Sequence, residues 1–570
     1  MGGTFVRRWR VVIVVAALIG AGGVVPAVAA TTPAAVRCSS QDWSEYGANP
    51  GLSFEVPRGC SGITTSDVAT LVPKWFFHAT DSMTASPTVV GTTLYIGSWD
   101  GTFYALDTAT GQPRWTYQIQ AEDPTAFGQI VSSADVASFP DPSTGHRRSV
   151  VVFGGGSSIW ALDAATGKLL ARVDLDPRTA ALKAKQATNP PVVEVESSPV
   201  VANVAIGGKT EQVIYTGMDV HNEPGVGPAG VVAMTLKGST KGTWSFTVLW
   251  KHDPETDRVY TGPGALTAGS GTGFGCGDVW SSPAFDPVTN EVLFGTGDCE
   301  NVDEARAAGH NWSEAMEAVR ADTGALIWRF APAALFPTVA EQDAQANADQ
   351  DFGASPNIMV LPDGERVDGE GSKSAFYWVR NERTGAAVWG TKSGSTGFVQ
   401  DGFAVGGYIG ATAVETNAAG RAEQIIGGTA IPVPADAADA EAATEAVHAF
   451  DAQTGKVDWT YSLGGPTYAP TTIVNGVALV PDTVPSDLVA IDASTGLPLW
   501  VSPVLGPPSS GATVVGDSVY VGTGTRETDL EYKAFGLKVQ KSFTDTVGES
   551  PLSPVSGVEA WELSSSAVGG

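Results

Sequence analysis

The chain has 570 residues, of which 61 are acidic and 33 are Lys or Arg, so its formal net charge at pH 7 is −28. A surface this acidic repels nucleic acid and anionic lipid, which excludes nucleic acid as a partner. The 68 Gly, 16 Trp and scarce helical periodicity favour an all-β fold built from repeats, which can make one large domain of such a chain.

The first thirty residues have the three-part pattern of a secretory signal peptide. Three arginines within residues 7–10 precede an apolar run at 11–25 and an Ala-Val-Ala at 27–29. A membrane anchor is the alternative, but the run is short and broken by glycine. We therefore expect a signal peptide at 1–30, cleaved at its end, and one domain at 31–570. We expect this domain to be soluble, without a membrane span, and secreted or held in the cell envelope.

The four cysteines of an exported chain predict two disulfides, for which three pairings are open. Proximity in the sequence favours Cys38–Cys60 and Cys276–Cys299. The chain contains no CxxCH motif, so it carries no covalently attached c-type haem.

After an N-terminal segment that ends in the predicted strand PKWFFHA (73–79), a short unit recurs along the chain. Alternating apolar residues make a strand, an Asp supplies a turn, a Gly takes the positive-φ position, and a Trp packs on the following strand. Small sheets that cannot bury both faces alone must stack, and radial closure protects their edges, which predicts a β-propeller. The clearest copies are 104–115, 448–459 and 489–500, the weaker ones are 160–171, 318–328 and 378–389, and a degenerate one is 231–244.

Uneven spacing of the copies predicts long inserted loops. The acidic, Ala-rich run at 434–446 reads as a further loop without chemistry of its own. The predicted insertions are 172–195, 239–275, 299–317 and 331–350.

One stretch between copies combines the residues expected of a cofactor site. Two predicted strands, 281–286 and 291–297, are joined by a Pro-Val-Thr-Asn turn. Because a hairpin brings its outer ends together, Trp280 and Asp298 should lie at one mouth. A flat aromatic face beside an acidic oxygen ligand indicates a site for a planar, anionic, metal-assisted cofactor.

The ALDxxTGxxxW unit resembles the tryptophan-docking repeat of the pyrroloquinoline quinone (PQQ) dehydrogenases, which are eight-bladed β-propellers. The resemblance covers nearly the whole mature chain, and the seven copies fit eight blades if the last blade combines both termini, with 519–527 meeting the N-terminal strand. The segments WSEYGAN, GITTSDVATLVPKW, GSKSAFYWV and DQDFGASP look most like the polyvinyl alcohol dehydrogenase branch, here without a cytochrome c domain.

The resemblance implies a platform and a metal site. GDVWSSPAFD resembles the strand whose Trp lies under the quinone, which maps onto Trp280. GTGD resembles the motif that supplies an amide ligand to calcium, which maps onto Asp298, and a carboxylate suits a hard cation as well. IYTGMDVHNEPG resembles the segment with the glutamate ligand, which maps onto Glu223, with Asp219 as the competitor.

The resemblance also implies the catalytic groups. DQDFGASP resembles the segment whose first Asp is both general base and metal ligand, which maps onto Asp349. Asp351 is then a second carboxylate, and in relatives an acid at that position accompanies lanthanides, so a lanthanide is the alternative to calcium. GSKSAFYWV resembles the strand that carries a cation to the quinone carbonyls, which maps onto Lys373, with the quinone oxygens or Asp349 as its expected partner.

Two departures from the family pattern affect the anchoring of PQQ. FGQIVSSADVASFP resembles the segment with a vicinal disulfide and an Arg. Here Ser132 and Ser133 replace the cysteines, so they are the expected cofactor contacts, and Ser138 replaces the Arg. Arg147, Arg148 or another cation would have to supply the missing positive charge.

We therefore expect an exported quinoprotein that oxidises an alcohol, secondary or polymeric, and passes electrons to a separate acceptor such as a cytochrome c. The first alternative is a cofactor-free propeller acting as an extracellular scaffold, favoured by the two departures. The second alternative is a hydrolase or lyase that uses the same carboxylates. A serine hydrolase is disfavoured, because the chain has only six His and no GxSxG motif.

Overall fold

The computed structural model divides the chain into two compact units, 1–37 and 38–570. The described residues all belong to the second unit, and they are 42–119, 125, 128–176, 193–219, 229–268, 276–297, 314–332, 351–393, 398–400, 403–405, 407–430, 446–463, 467–483, 485–524 and 555–564. Their helices are two 3₁₀ turns, Val68–Thr70 and Ala265–Thr267. None of the helices in these ranges is long and apolar enough to span a bilayer.

All other regular structure in these ranges is β-strand. The first strands are β1 (Glu55–Val56) and β2 (Leu71–His78). Blade 1 is β3 (Thr88–Val90), β4 (Thr93–Gly97), β5 (Thr102–Asp107) and β6 (Pro113–Gln118). Blade 2 is β7 (Asp135–Asp141), β8 (His146–Gly155), β9 (Ser158–Asp163) and β10 (Leu169–Asp174). Blade 3 is β11 (Val200–Ile206), β12 (Lys209–Met218), β13 (Gly230–Gly238), β14 (Trp244–Asp253) and β15 (Arg258–Thr261). Blade 4 is β16 (Ala284–Asp286), β17 (Glu291–Gly295), β18 (Met316–Arg320) and β19 (Leu326–Phe330).

The second half of the chain continues the series. Blade 5 is β20 (Asn357–Val360), β21 (Arg366–Gly371), β22 (Phe376–Asn381) and β23 (Ala387–Lys392), followed by a hairpin of β24 (Phe398–Gln400) and β25 (Phe403–Val405). Blade 6 is β26 (Ala413–Thr416), β27 (Ala422–Gly428), β28 (Ala446–Asp451) and β29 (Val457–Ser462). Blade 7 is β30 (Thr472–Val474), β31 (Val477–Asp482), β32 (Asp487–Asp492) and β33 (Pro498–Pro503), with β1 added in parallel at β30. Blade 8 is β34 (Thr513–Val515), β35 (Ser518–Thr523) and β36 (Gly557–Leu563), completed by β2.

The eight sheets close into a ring. The first strand of each blade contacts the first strand of the next, in the order β3, β7, β11, β16, β20, β26, β30, β34 and back to β3. Strand β3, for example, is short and largely buried, whereas β6, the fourth strand of the same blade, alternates between exposed and half-buried positions. The eight-bladed propeller expected from the sequence is confirmed, and its last blade is built from both ends of the chain. Strand β36 lies between β2 and β35, so 519–527 does not itself pair with the N-terminal strand.

The repeat residues join neighbouring blades rather than neighbouring strands. Each docked Trp lies on the Gly of the next blade's turn, and its Nε1 donates to a backbone carbonyl of that turn. In blade 3 the docked residue is Trp250, not Trp244 of the degenerate copy. The docked pairs are Trp75 on Gly111, Trp115 on Gly167, Trp250 on Gly324, Trp328 on Gly385, Trp389 on Gly455 and Trp459 on Gly496.

One predicted insertion is wrong. The range 239–275 contains β14 and β15, which complete blade 3 as a five-stranded sheet. The repeat motif beside this range is too degenerate for β14 and β15 to be recognised from the sequence. Most of 172–195, 299–317 and 331–350, and most of 434–446, lie outside the described residues.

Residues 43–56, here called the hub segment, run along the first strands of the blades. Trp43 exchanges backbone hydrogen bonds of 2.8 and 2.9 Å with Val89 of blade 1, and Ser44 accepts from Val136 of blade 2. The hub segment also accepts bonds from blades 4 to 7. The donors are Phe285, Ile358, Val414 and Ile473, and the acceptors are Pro50, Gly51, Ser53 and Phe54.

Candidate active site

The predicted site residues divide into those the structure describes and those it does not. Trp280, Asp351, Lys373, Ser132 and Ser133 are described. The predicted metal ligands and base lie outside the described residues, and they are Glu223, Asp298 and Asp349.

A set of backbone hydrogen bonds, here called the site layer, joins the ends of second strands to the segments that enter the next blades. In blades 3 to 5 it links Met218 to Val279 (3.1 Å), Asp278 to Gly297 (3.0 Å), Thr296 to Phe352 (3.2 Å) and Asp351 to Lys373 (2.9 Å). These bonds hold residues that are distant in the sequence at one level, and the Asp278–Gly297 bond joins the two outer sides of the predicted hairpin. Trp280, Asp351 and Lys373 all stand on or beside this layer.

The three residues form one cluster. Lys373 Nζ donates to Asp351 Oδ2 at 2.8 Å and lies 5.3 Å from the centroid of the Trp280 ring. Both polar side chains are largely buried, with 14% of Lys373 and 8% of Asp351 exposed, so little water screens the pair. The described partner of Lys373 is thus Asp351.

Gly353 fixes the position of the indole. A Cβ atom on this residue would lie 1.7 Å from Cη2 of Trp280, so any side chain here would displace the ring. Trp280 is only half-buried, whereas Val279 beside it is fully buried. The segment that delivers Asp351 therefore also clamps the edge of the indole.

Three further acids stand on the same arc of the site layer. Glu194 and Asp219 exchange backbone bonds of 2.9 and 3.1 Å, and Asp278 follows two residues before Trp280. All three are at most 4% exposed. A Cβ on Gly297 would lie 2.7 Å from Asp278 Oδ2, so that glycine makes room for the carboxylate. Asp278 was not among the residues predicted from the sequence, although the Gly-Asp shortly before Trp280 was a signal.

The described residues alone do not include a group of three or more His, Cys, Asp or Glu side chains arranged to hold a metal ion. The acids of this arc would contribute negative charge toward a cation held by the segments that follow Asp219 and Gly297. The assignment of Glu223, Asp298 and Asp349 as ligands stays a prediction.

Ser132 and Ser133 have roles within the fold. Ser132 Oγ accepts from Gly154 N at 2.8 Å and donates to Gly154 O at 2.9 Å. Ser133 belongs to a chain of serines in which each backbone N–H donates to the hydroxyl of the next blade's serine, at 2.9–3.0 Å. The links run from Gly511 to Ser86, Ser133, Ser198, Ser282 and Ser355. Contact of these two hydroxyls with a cofactor stays a prediction.

The arginines considered as substitutes for the missing family Arg are engaged in blade 2. Arg148 is held between Asp141 (2.8 Å) and Asp163 (2.5 Å), while Arg147 donates to Ser138 and Gln212. Lys373 is therefore the cation that the described residues bring to Trp280.

Both described cysteines are disulfide-bonded rather than free thiols. They are Cys60 and Cys276. Cys38 and Cys299 lie outside the described residues, so the predicted pairing is not tested.

Comparisons with known proteins agree with this arrangement. A family model described as "Glucose/ethanol/alcohol dehydrogenase, beta-propeller domain" matches residues 43–397, more than half of the chain. A second, described as "Outer membrane protein assembly factor BamB", matches 378–564.

Among curated proteins, the chain is 25% identical to a polyvinylalcohol dehydrogenase of a Pseudomonas species over 426 residues, which are 70% of this chain and 58% of that protein. It is 24% identical to the dehydrogenase subunit of a quinone alcohol dehydrogenase of Gluconobacter oxydans, over 61% of this chain and 44% of that protein. The chain thus spans about half the length of these relatives. Among solved structures, a europium-containing methanol dehydrogenase has a TM-score of 0.65 at 17% identity, covering 92% of this chain and 98% of that one, which is a likeness of fold.

Proposed function

Since the chain belongs to the PQQ-dependent glucose/ethanol/alcohol dehydrogenase family, we propose that it is a quinoprotein dehydrogenase that oxidises an alcohol. The observation that carries the proposal is the cluster of Trp280, Lys373 and Asp351 on the site layer. An indole face, a buried cation and a carboxylate are the groups needed to hold an anionic quinone beside an alcohol.

The described residues fit PQQ, which is planar and carries three carboxylates. Trp280 offers an apolar face whose edge is clamped by Gly353, and Lys373 places a cation above that face. Lys373 would bind the carbonyl oxygens and share its charge with Asp351. When bound, PQQ supplies the two-electron acceptor of the reaction.

The residues of the chain would divide the remaining work. Asp349 takes the proton of the substrate hydroxyl as general base, and Asp351 fixes Lys373 and carries part of its charge. Glu223, Asp298 and Asp349 would hold Ca²⁺ or, alternatively, a lanthanide, because oxygen ligands suit hard cations. The acids of the site layer favour such a cation electrostatically.

The proposal also covers the substrate, the cellular location and the electron acceptor of the enzyme. The polyvinylalcohol dehydrogenase among the relatives favours a secondary or polymeric alcohol. The signal-peptide pattern at 1–30 favours export to the cell envelope or beyond. The electrons would pass to a separate acceptor such as a cytochrome c.

The test is a titration of the metal-stripped protein with PQQ, alone and with Ca²⁺ or La³⁺, followed by dye-linked oxidation of a secondary alcohol and of polyvinyl alcohol. We expect metal-dependent binding that quenches tryptophan fluorescence, because the quinone lies against Trp280. Trp280→Phe should weaken binding and lose much of the quench, whereas Trp459→Phe in a docked pair should leave both unchanged. Absence of binding with either metal would refute the proposal and favour the cofactor-free scaffold.

A further inference from the structure

Strand β21 carries a row of charged residues into the interface between blades 4 and 5. Every second residue of this strand lies on the same face, and on one face these are Arg366, Asp368 and Glu370. This set of three residues is here called the acid row. The row begins at the first residue of β21, at the end of the strand here called the rim. There Arg366 pairs with Asp286 and, at 3.0 Å, with Glu382. It ends three residues before Lys373 of the site layer.

The two carboxyls of the row are enclosed by apolar side chains. Asp368 is 1% and Glu370 0% exposed. A Cβ on Gly295 would lie 2.4 Å both from Glu370 Oε1 and from the Phe352 backbone oxygen, so Glu370 fills a glycine gap beside the residue that follows Asp351. The surrounding apolar cluster includes Leu293, Met316, Trp328, Phe330 and Phe352.

No oxygen of either carboxyl has a hydrogen-bond partner within the described part of the chain. Such groups cost several kcal/mol if ionised and dry, so they must be protonated and hydrated, or bind a cation. Burial raises the pKa of Asp368 well above its ordinary value, and burial together with the charge of Asp368 raises that of Glu370. Burial therefore favours the protonated form of both carboxyls.

The charged groups facing the row decide between a proton and a cation. Arg380 of β22 stands opposite Asp368 in the register, and its guanidinium lies 3.1 Å from the centroid of Phe330. A positive charge at this point repels a metal ion. The Arg366 cluster lies at one end of the row, and Lys373 follows the other end three residues along the chain. Burial, together with the charges of Asp368 and Glu370, raises the pKa of Tyr377 well above its ordinary value.

We propose that Glu370 and Asp368 conduct the substrate's hydroxyl proton from the site layer to the Arg366–Glu382–Asp286 cluster at the rim. The proposal rests on the proposed function. In the proposed oxidation, bound PQQ would accept the hydride of the alcohol's C–H bond, and Asp349 would take the proton of its O–H bond. One proton then binds one oxygen of Glu370 as another leaves its second oxygen toward Asp368. Asp368 repeats the exchange. Both carboxyls return to their starting protonation state, and one proton reaches the rim.

The spacing of the row requires bridging water. Alternate residues of a strand lie about 6.6 Å apart, which exceeds one hydrogen bond. Buried waters occupy polar gaps of this kind and give each carboxyl the partners that the described residues do not supply. Burial, assisted by Asp286, raises the pKa of Glu382 to about 9, so this carboxyl carries a proton near neutrality and would release it as the next one arrives.

The experiment compares Glu370→Gln, Asp368→Asn and Glu370→Asp in the holoenzyme with the control Glu559→Gln. Glu559 is a buried acid of blade 8 that accepts from Leu505 N at 2.8 Å. We expect the amide variants to lower kcat about tenfold or more, with KM unchanged and a larger solvent isotope effect on kcat. Glu370→Asp, which keeps a proton carrier, should recover much of the rate.

A second readout does not depend on activity. In the PQQ-free protein at pH 7, the infrared band of protonated carboxylic acids should weaken in Glu370→Gln and in Asp368→Asn. The proton path would be overturned if both amide variants kept a normal kcat and a normal isotope effect, or if they lost only thermal stability. In that case PQQ binding and alcohol oxidation by the wild type would still stand. If the wild type neither binds PQQ nor oxidises alcohols, the proposed function fails first and the path falls with it.

Discussion

Two glycines of blade 6 show what the docked tryptophans require of a single residue. Gly455 has φ +69° and Gly420 has φ +70°, so a side chain strains the backbone equally at both. A Cβ on Gly455 would lie 2.4 Å from the Trp389 ring, whereas one on Gly420 would meet nothing within 4 Å. The docking glycine is therefore constrained twice, by conformation and by contact.

We expect Gly455→Ala to destabilise the protein by about 2–5 kcal/mol, since a left-handed residue costs about 1–2 and overpacking about 1–3. Gly420→Ala should cost only the conformational part. The measurement is the urea midpoint of each variant. Equal losses at the two positions would show that the indole adds nothing to the constraint.

Single residues also show how far the sequence predicts a site. Trp280, Lys373 and Asp351 were identified from motifs, and the structure brings them together. The pairing of Lys373 with Asp351 could not be read from the motifs, because the site layer sets it through a backbone bond between two loops.

At the scale of the element, β21 shows why the acid row escaped prediction. Alternation in Arg-Val-Asp-Gly-Glu-Gly reads as a strand with one polar face, and such a face normally meets water. The polar face of β21 is buried only because blade 4 packs over it in the ring, through strands β17 to β19. The sequence specifies the face of each residue but not whether a neighbouring sheet lies over it.

Strand β1 supports a prediction of pH dependence. Glu55 is 9% exposed, accepts bonds from Thr416 N (2.9 Å) and Oγ1 (2.6 Å), and burial raises its pKa to about 7. A carboxyl whose pKa is raised in the folded state loses stability as pH rises from its ordinary value to the raised one. The penalty should be absent below the ordinary pKa and complete above about 7.

We therefore expect Glu55→Gln to gain about 3 kcal/mol relative to the wild type between pH 4 and pH 8, at 1.36 kcal/mol per pKa unit. The measurement is the denaturation midpoint of both proteins across this range. Glu423→Gln, at an exposed position of blade 6, should show no such trend. A constant difference between wild type and Glu55→Gln would contradict the prediction.

At the scale of the whole molecule, ring closure depends on blade 8. Strand β36 pairs with β2 on one side and β35 on the other, so the two ends of the chain hold each other through it. The resemblance to eight-bladed dehydrogenases predicted this composite blade, because the seven repeat copies leave the eighth blade to be built from both ends of the chain. It did not reveal β14 and β15, whose segment lacks the repeat.

We expect deletion of residues 555–570, which removes β36, to abolish the folded monomer, because β2 and β35 then expose unpaired edges. Deletion of 565–570 alone, which leaves β36 whole, is the control and should leave the protein folded. Circular dichroism and gel filtration distinguish the two outcomes. A folded, monomeric 555–570 deletion would show that the ring closes without β36.

The hub segment has a consequence for the time course of folding. It is synthesised before every strand that it binds, and its last partner, Ile473, lies near the other end of the chain. Contacts between residues so distant in sequence form slowly, because a long loop must close before any bond rewards it. The segment must therefore wait, extended, until most blades have assembled, which makes its docking a late and slow kinetic phase of refolding.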